Sequence, residues 1–379
     1  MKITKSLKIA VAAVAITLFT TQSASAAVNL TGAGSTFAIP LLDSCKAGFS
    51  GATGNSYTYT GGGSGAGRAA SDKSINDFNF SDTPHTASSR LATVIHIPVI
   101  AAPIAVMYRL NTTKTLNFSP STVAGIFAGT ITKWNDPAIV ADNNRSIVQI
   151  TYKKDKKGEV VKDKSGKPVV LNTRTFKTHL TMPNKKITVI YRADSSGTSG
   201  NFTNFLHGTA ASVWTKSGNN NFGTSFPGDL NDPSNLGRIV SATGSAGVAA
   251  LAGKTIYSIT YDEKNYAGAA GLGIANIQNA AGNFQAPDSG GTSAFLGAAT
   301  VSDTGFLNFN YATTNPGAYP LGIVSYALVD TKTKNADAVK ALMTYLLDPK
   351  CASADPALEY TTITGGLLAL DKAQIAKIG

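Results

Sequence analysis

Between residues 28 and 82 the chain alternates strand, glycine-rich loop and helix, and no other stretch constrains its fold as much. Val28-Asn29-Leu30 reads as a strand and Gly32-Ala33-Gly34-Ser35-Thr36-Phe37 as a tight turn. A helix is expected from about Thr36 to Phe49. Ser56 to Thr60 reads as a second strand, ending at Gly61-Gly62-Gly63-Ser64-Gly65-Ala66-Gly67, with a helix after it. Phe78-Asn79-Phe80 is a third strand that ends at Ser81-Asp82. This β-loop-α-β-loop order is the grammar of an open parallel α/β sheet. Ligands of such sheets lie beyond the carboxyl ends of the strands, and all three loops emerge at that edge.

A corner of the same kind follows later. Ile187, Val189 and Tyr191 alternate, then Arg192-Ala193-Asp194-Ser195-Ser196-Gly197-Thr198-Ser199 leads into a helix carrying Phe202, Phe205 and Leu206. Such a corner offers free backbone N–H groups, hydroxyls and the positive end of a helix dipole. The Arg192 guanidinium fork suits two oxygens of an oxyanion. Ser35-Thr36-Phe37, Gly63-Ser64-Gly65 and Ser196-Gly197-Thr198 could all aim helix starts at one place. Singly, each is a capped helix start; with Arg192 at one sheet edge they read as a site for a small tetrahedral anion. Asp82 fits only a ligand with a proton to give, because a buried charged acceptor without a donor is costly. It would thus favour phosphate over sulfate. Asp194 is placed to orient Arg192 and to offset part of its charge.

Elsewhere the signals are weaker. Ile95 to Tyr108, interrupted by Pro98 and Pro103, reads as a strand leaving the first domain. Ser121 to Phe127 starts a helix, and Ile131-Thr132-Lys133-Trp134 closes a further element. Residues 151–171 hold seven lysines around Val160-Val161 and Val169-Val170, a solvated hairpin kept soluble by its charge. Residues 216–245 read as mostly loop and 264–312 give no clear pattern. Gly247 to Leu251 and Gly366 to Ile378 read as helices, Thr255 to Tyr261 and Leu321 to Leu328 as strands, and Ala336 to Leu347 as an amphipathic helix.

Residues 1–26 read as an export signal. Lys2, Lys5 and Lys8 form the basic start, Ile9 to Phe19 the apolar core, and Ala24-Ser25-Ala26 the cleavage site. The apolar core is too short for a membrane span with these flanks, and no cysteine follows it for lipid attachment. A periplasmic or secreted protein is expected, peripheral to the membrane at most. The formal charge of +11 could favour anionic partners, but charged residues are only 15% of the chain, against about 25% in ordinary domains. That dilution argues against a nucleic-acid groove, which needs clustered Lys and Arg. Cys45 and Cys351 either bridge or stay as buried thiols; an oxidising compartment favours the bridge. A bridge would place the two ends of the mature chain in one domain.

Other chemistries fail on spacing. Gly253-Lys254-Thr255 lacks the glycine a P-loop needs five residues before Gly253, since Val248 stands there. Gly61-x-Gly63-x-x-Ala66 has dinucleotide spacing, but Asp82 is the nearest acid to the required position, so no nicotinamide cofactor is expected. No G-x-S-x-G elbow occurs. The four histidines show no metal-ligand spacing, so neither cofactor nor metal is expected.

Four stretches together carry a family resemblance. They are Leu30-Thr31-Gly32-Ala33-Gly34-Ser35-Thr36-Phe37, Asp77-Phe78-Asn79-Phe80-Ser81-Asp82-Thr83-Pro84, the run from Gly125 to Ile139 (GIFAGTITKWNDPAI), and Arg192 to Ser199. In this order the chain resembles the high-affinity phosphate-binding proteins of phosphate ABC transporters. The match is clear over residues 28–206 and weaker over 319–379. It implies a type II periplasmic-binding-protein clamp: two α/β domains, each a mixed sheet flanked by helices, joined by two hinge crossings. The implied division is 27–100 plus 319–379 for the first domain and 101–318 for the second, with the basic hairpin near 151–171 inserted. By position, Thr36 and Phe37 would bind phosphate through backbone N–H groups, and Ser64 through hydroxyl and N–H. Asp82 would accept the phosphate proton. Arg192, steered by Asp194, would form the ionic contact, and Ser196, Gly197 and Thr198 would hold the remaining oxygens. The implied partners are inorganic phosphate and an ABC permease, and the implied state is a non-enzymatic monomer. Ala38, Gly65 and Ser195 depart from the family pattern, yet none removes an expected donor. The alternative is a secreted protein that keeps the fold for surface interaction or phosphatase-like chemistry. For that chemistry Ser64 or Thr198 would be the candidate nucleophile, and the sequence shows no base beside either.

Overall fold

The computed structural model describes residues 26–379 apart from 145, 157, 158, 178, 303 and 304; most of the expected export signal lies outside the described residues. The expected opening grammar is present. Strand β1 (Asn29–Gly34) leads through a 3-10 turn, Thr36–Ala38, into helix α1 (Ile39–Thr53). Strand β2 (Ser56–Gly61), helix α2 (Ser64–Ser71) and strand β3 (Phe78–Ser81) follow. Both β2 and β3 pair with β1 in parallel, so their three C-terminal loops share one edge.

Strand β4 (Val94–Tyr108) is the spine of the molecule, buried at every position but Ile95. Helix α3 (Pro120–Phe127) comes next, then strands β5 (Ser146–Tyr152) and β6 (Val170–Lys177), strand β7 (Thr188–Arg192), helix α4 (Gly197–Ala210), strand β8 (Ile239–Ala242), helix α5 (Gly244–Lys254), strand β9 (Ser258–Glu263), strand β10 (Gly322–Asp330) and helices α6 (Ala336–Leu346) and α7 (Gly365–Ile375). The main sheet runs β2-β1-β3-β10-β4-β9-β7-β8. Its two halves share β4. Residues Val94 to Pro103 pair with β10, whereas Ile104 to Tyr108 pair with β9. Both prolines sit where the ladder can spare an N–H. Pro98 lies at a register shift opposite Tyr326, and Pro103 lies at the last residue before β4 changes partner.

In the second half, β7 pairs in parallel with β8 and with β9. The corners after β7 and β8 therefore open at one edge, as the corners after β1, β2 and β3 do. Apolar side chains on both faces of the sheet hold it against the helices: Leu30, Phe78 and Phe80 in one half, Val189, Ile259 and Tyr261 in the other. Cys45 of α1 is bridged to Cys351 in the short helix Pro349–Ala352. The bridge ties the start of the described chain to a segment near its end.

Two expectations are corrected. The lysine-rich hairpin is longer than 151–171: its ladder runs from Ser146 paired with Lys177 to Tyr152 paired with Val170. The alternating Val148 and Ile150 belong to the ribbon and were masked by the charged tip. Ile131 to Trp134 forms no helix or strand but a single bridge, Lys133 to Lys186; Trp134 is instead an anchor, its ring fully buried and its Nε1 donating to Tyr257 O at 3.0 Å. Residues 216–245 are mostly loop, as expected, with helix Phe222–Ser225 and edge strand β8 set within them.

Candidate functional site

The loops from both half-sheets converge. From the first half, Ser35 and Thr36 follow β1, Ser64 opens α2 after β2, and Asp82 follows β3. From the second, Arg192 ends β7, Ser196 caps α4, and Ser245 sits in the first turn of α5 after β8. Ser35, Ser64, Asp82, Arg192, Ser196, Thr198 and Ser245 are all buried.

Asp82 is held by three hydroxyls. Its Oδ2 accepts from Ser35 Oγ at 2.8 Å and Ser64 Oγ at 3.1 Å, and its Oδ1 accepts from Ser325 Oγ at 2.7 Å. A carboxylate has about four acceptor positions, so one remains, on Oδ1. Burial pushes the Asp82 carboxyl up, while the hydrogen bonds from Ser35, Ser325 and Ser64 pull the other way. The residue is a buried acceptor with room for one more donor.

Arg192 faces it from the other half. Its Nε donates to Asp194 Oδ1 at 2.8 Å and its Nη2 to Asp194 Oδ2 at 2.6 Å. Its Nη1 donates to Ser245 Oγ at 3.1 Å. A guanidinium has five N–H groups, so one on each terminal nitrogen is left for a ligand. Burial works against the charge, but Asp194 and Asp262 hold Arg192 above even its ordinary range. Burial likewise opposes the Asp194 charge, and Arg192 overrides it, keeping that carboxyl low. Gly244 N–H adds a 2.9 Å bond to Asp194 Oδ1, which fixes the orienting residue in turn.

The start of α4 closes the space. The Ser196 hydroxyl caps the helix by accepting from Ser199 N–H at 3.2 Å, which leaves the N–H groups of Gly197 and Thr198 without an intrahelical acceptor. Thr198 Oγ1 is buried with no hydrogen-bond partner. A group that must be satisfied when buried thus stands in a shell of donors. Gly197 has no room for a side chain, since a methyl there would fall 2.5 Å from Ser64 Oγ.

The two halves touch directly. Thr36 Oγ1 is 2.8 Å from Ser245 Oγ, Gly65 N–H donates to Ser195 O at 2.9 Å, and Asn201 Nδ2 donates to Asp82 O at 2.6 Å. The clamp is shut.

All nine residues singled out for phosphate in the sequence fall in this one region: Thr36, Phe37, Ser64, Asp82, Arg192, Asp194, Ser196, Gly197 and Thr198. Phe37 differs in detail, because its N–H donates to Ser35 Oγ at 3.0 Å. The absence of a base beside Ser64 is corrected as well: Asp82 Oδ2 lies 3.1 Å from its hydroxyl, a contact between residues eighteen positions apart that no local motif shows. Sequence reasoning missed Ser245, Ser325, Asp262 and Asn201. Ser245 had a usable signal, since Thr243-Gly244-Ser245 after β8 repeats the strand-to-helix corner. Among the described residues, no group of three or more His, Cys, Asp or Glu could hold a metal ion.

Comparison with known proteins agrees with this geometry. The family model of the PBP superfamily domain matches residues 20–350. Phosphate-binding protein PstS 3 of Mycobacterium tuberculosis is 31% identical over 308 residues, covering 77% of this chain and 70% of that protein. Among solved structures, the ancestral soluble variant of the human phosphate-binding protein matches with a TM-score of 0.66 at 21% identity, covering 91% of this chain and 93% of that one. A periplasmic phosphate-binding protein, PfluDING, solved with phosphate bound, matches with a TM-score of 0.63 at 20% identity, covering 92% and 93%. The shared fold, the paired sheet-edge corners and the sequence match all lead to one assignment: the chain belongs to the PBP superfamily, within the family of PstS phosphate-binding proteins.

Proposed function

We propose that this protein captures inorganic phosphate between two domains and passes it to an ABC permease. The observation that carries this reading is Asp82, a buried carboxylate with three hydroxyl donors and one open acceptor position, facing Arg192 across the cleft. Mono- and dihydrogen phosphate bring a proton to that position. Sulfate does not, and would leave the charge of Asp82 against its own.

In this reading Arg192 supplies the ionic contact, with Asp194 fixing its fork. Thr198 supplies its hydroxyl, and Ser64 its N–H and, on releasing Asp82 Oδ2, its hydroxyl. The N–H groups of Thr36, Phe37, Gly197 and Thr198 cap the remaining oxygens, Phe37 on releasing Ser35 Oγ, and Ser196, whose N–H donates to Asn220 O at 2.9 Å, adds its hydroxyl. The first domain would comprise 27–100 plus 319–379 and the second 101–318, with β4 as one hinge crossing and the segment entering β10 as the other. Closing about those crossings would bury the ligand. The protein would act outside the cytoplasm, as a monomer, and without catalysis.

A second reading takes the Ser64–Asp82 contact as a nucleophile beside a base, cleaving phosphate esters. Against it, the same Asp82 oxygen also takes Ser35, which leaves it a shared acceptor. Turnover of a chromogenic phosphate ester would favour that reading.

Calorimetry on protein stripped of ligand tests the first. Tight phosphate binding without a sulfate signal is expected, with Asp82→Asn both weaker for phosphate and less selective. Equal binding of the two anions by the unaltered protein would overturn it.

A further inference from the structure

Asp262 lies in β9, fully buried beside Arg192, and its Oδ2 has no hydrogen-bond donor. Its Oδ1 takes the Glu263 N–H at 2.9 Å, and its Oδ2 stands 3.6 Å from Arg192 Nη1. Asp194 already occupies Nε and Nη2 of that guanidinium. Arg192 therefore sits between two carboxylates, and Asp82 adds a third to the same enclosure. Even with Arg68, whose charge also reaches Asp82, two cations cannot balance three acids and an incoming dianion in a dry site.

We propose that Asp262 is the charge-balancing residue of this site, taking up a proton when a phosphate dianion enters beside Arg192, so that acid tightens binding and alkali weakens it. The inference rests on the phosphate reading above.

The neighbours of Asp262 leave little else to do the balancing. Arg192, itself held by Asp194, stands against it from β7, Tyr261 and Glu263 flank it on its own strand, Ser245 of α5 and the charges of Asp82 and Tyr266 reach it, and Tyr360 is tied to it through Glu263. Arg192 is the cation among them. Burial pushes Asp262 up to about 6 against the pull of Arg192, so near neutral pH it is ionised but ready to protonate. An anion arriving nearby disfavours the charged carboxylate further. Glu263 is pushed up too, by burial and then by Asp262 itself, and its Oε1 takes the Tyr360 hydroxyl at 2.6 Å. It is the competing proton acceptor. The sign follows from linkage. If the bound state holds a proton the free state lacks, affinity falls as pH rises between the free and bound pKa values.

The test is calorimetric titration of inorganic phosphate into the unaltered protein, Asp262→Asn and Glu263→Gln, in buffers of different ionisation enthalpy, from about pH 6 to about pH 8. Protons carried by phosphate itself and by Asp82 are common to all three and cancel in the comparison. The unaltered protein should take up as much as about one proton more per phosphate than Asp262→Asn. The ratio of their affinities should shift by up to about tenfold per pH unit, and Glu263→Gln should follow the unaltered protein. Equal proton counts with parallel pH profiles would overturn the proposal, as would a loss of uptake in Glu263→Gln alone. Should Asp262→Asn fail to fold, Asp262→Ser carries the same readout. Failure of all three proteins to bind phosphate at any pH would overturn the phosphate reading, and this inference with it; binding without differential proton uptake would overturn only the inference.

Discussion

Ser325 donates a 2.7 Å hydrogen bond to Asp82 Oδ1 across 243 positions of sequence. The bond ties the middle of β10 to the corner after β3 and fixes which lone pair of Asp82 is left open. Hydrogen bonds to a charged group contribute about 1.5–3 kcal/mol. Ser325→Ala should therefore weaken phosphate binding by roughly tenfold or more. It should also raise the Asp82 pKa further, because a bond that favours the carboxylate is gone. Selectivity against sulfate should narrow in step. Competition binding of the two anions checks this, and unchanged selectivity would leave Ser325 a mere packing residue.

How much of this was legible beforehand depends on whether the information is local. The corners after β1, β2, β3 and β7 announce themselves by glycine, hydroxyl and polar residues where an apolar strand stops. That is why Thr36, Ser64, Asp82 and Arg192 could be named from the sequence. Ser325 could not, for it stands within Gly322-Ile323-Val324-Ser325-Tyr326-Ala327-Leu328-Val329, a buried strand in which one serine looks like filler. Asp262 was hidden in the same way, at the end of an apolar strand. Both act through pairing across the sheet, and register between distant strands is not written in either strand alone. The long reach of the basic hairpin was missed for a different reason: its lysines dominated the composition and concealed the alternation of Val148 and Ile150.

Arg192 is gripped by Asp194 through two parallel bonds of 2.8 and 2.6 Å. A lysine there would keep the charge but lose the fork. Arg192→Lys should lose most of the affinity, and Arg192→Ala should cost several kcal/mol of binding, in the range of about 2–5 kcal/mol seen when one partner of a buried charge pair is removed. Titration calorimetry resolves the two. Binding by Arg192→Ala within about tenfold of the unaltered protein would mean the anion sits elsewhere.

Gly197 separates closure from folding. A methyl group at this position would lie 2.5 Å from Ser64 Oγ and 2.7 Å from Asp82 Cβ, atoms of the opposite half. Gly197 is the first residue of its helix, so the substitution leaves the helix's own stability nearly unchanged, the advantage of alanine belonging to helix interiors. Gly197→Ala should therefore keep the melting temperature of the ligand-free protein while weakening phosphate binding at least tenfold, by about 1.4 kcal/mol. Loss of both together would point to a packing defect within the second half and not to obstructed closure.

Asp371, in α7, gives the fold a pH dependence of its own. It is fully buried, and neither carboxylate oxygen has a hydrogen-bond partner. Burial pushes its pKa up to about 8, whereas in the unfolded chain it returns to about 3.9. Between those values the native state holds a proton that the unfolded state has released. Stability therefore falls as pH rises through that window, by at most about 1.4 kcal/mol per pH unit for this one group. Asp371→Asn keeps the shape and removes the titration. Its melting temperature relative to the unaltered protein should climb steadily from about pH 4 to about pH 8 and level off above. A difference that stays constant across that range would mean the carboxyl finds a partner or solvent on ionising, and that burial does not hold it neutral.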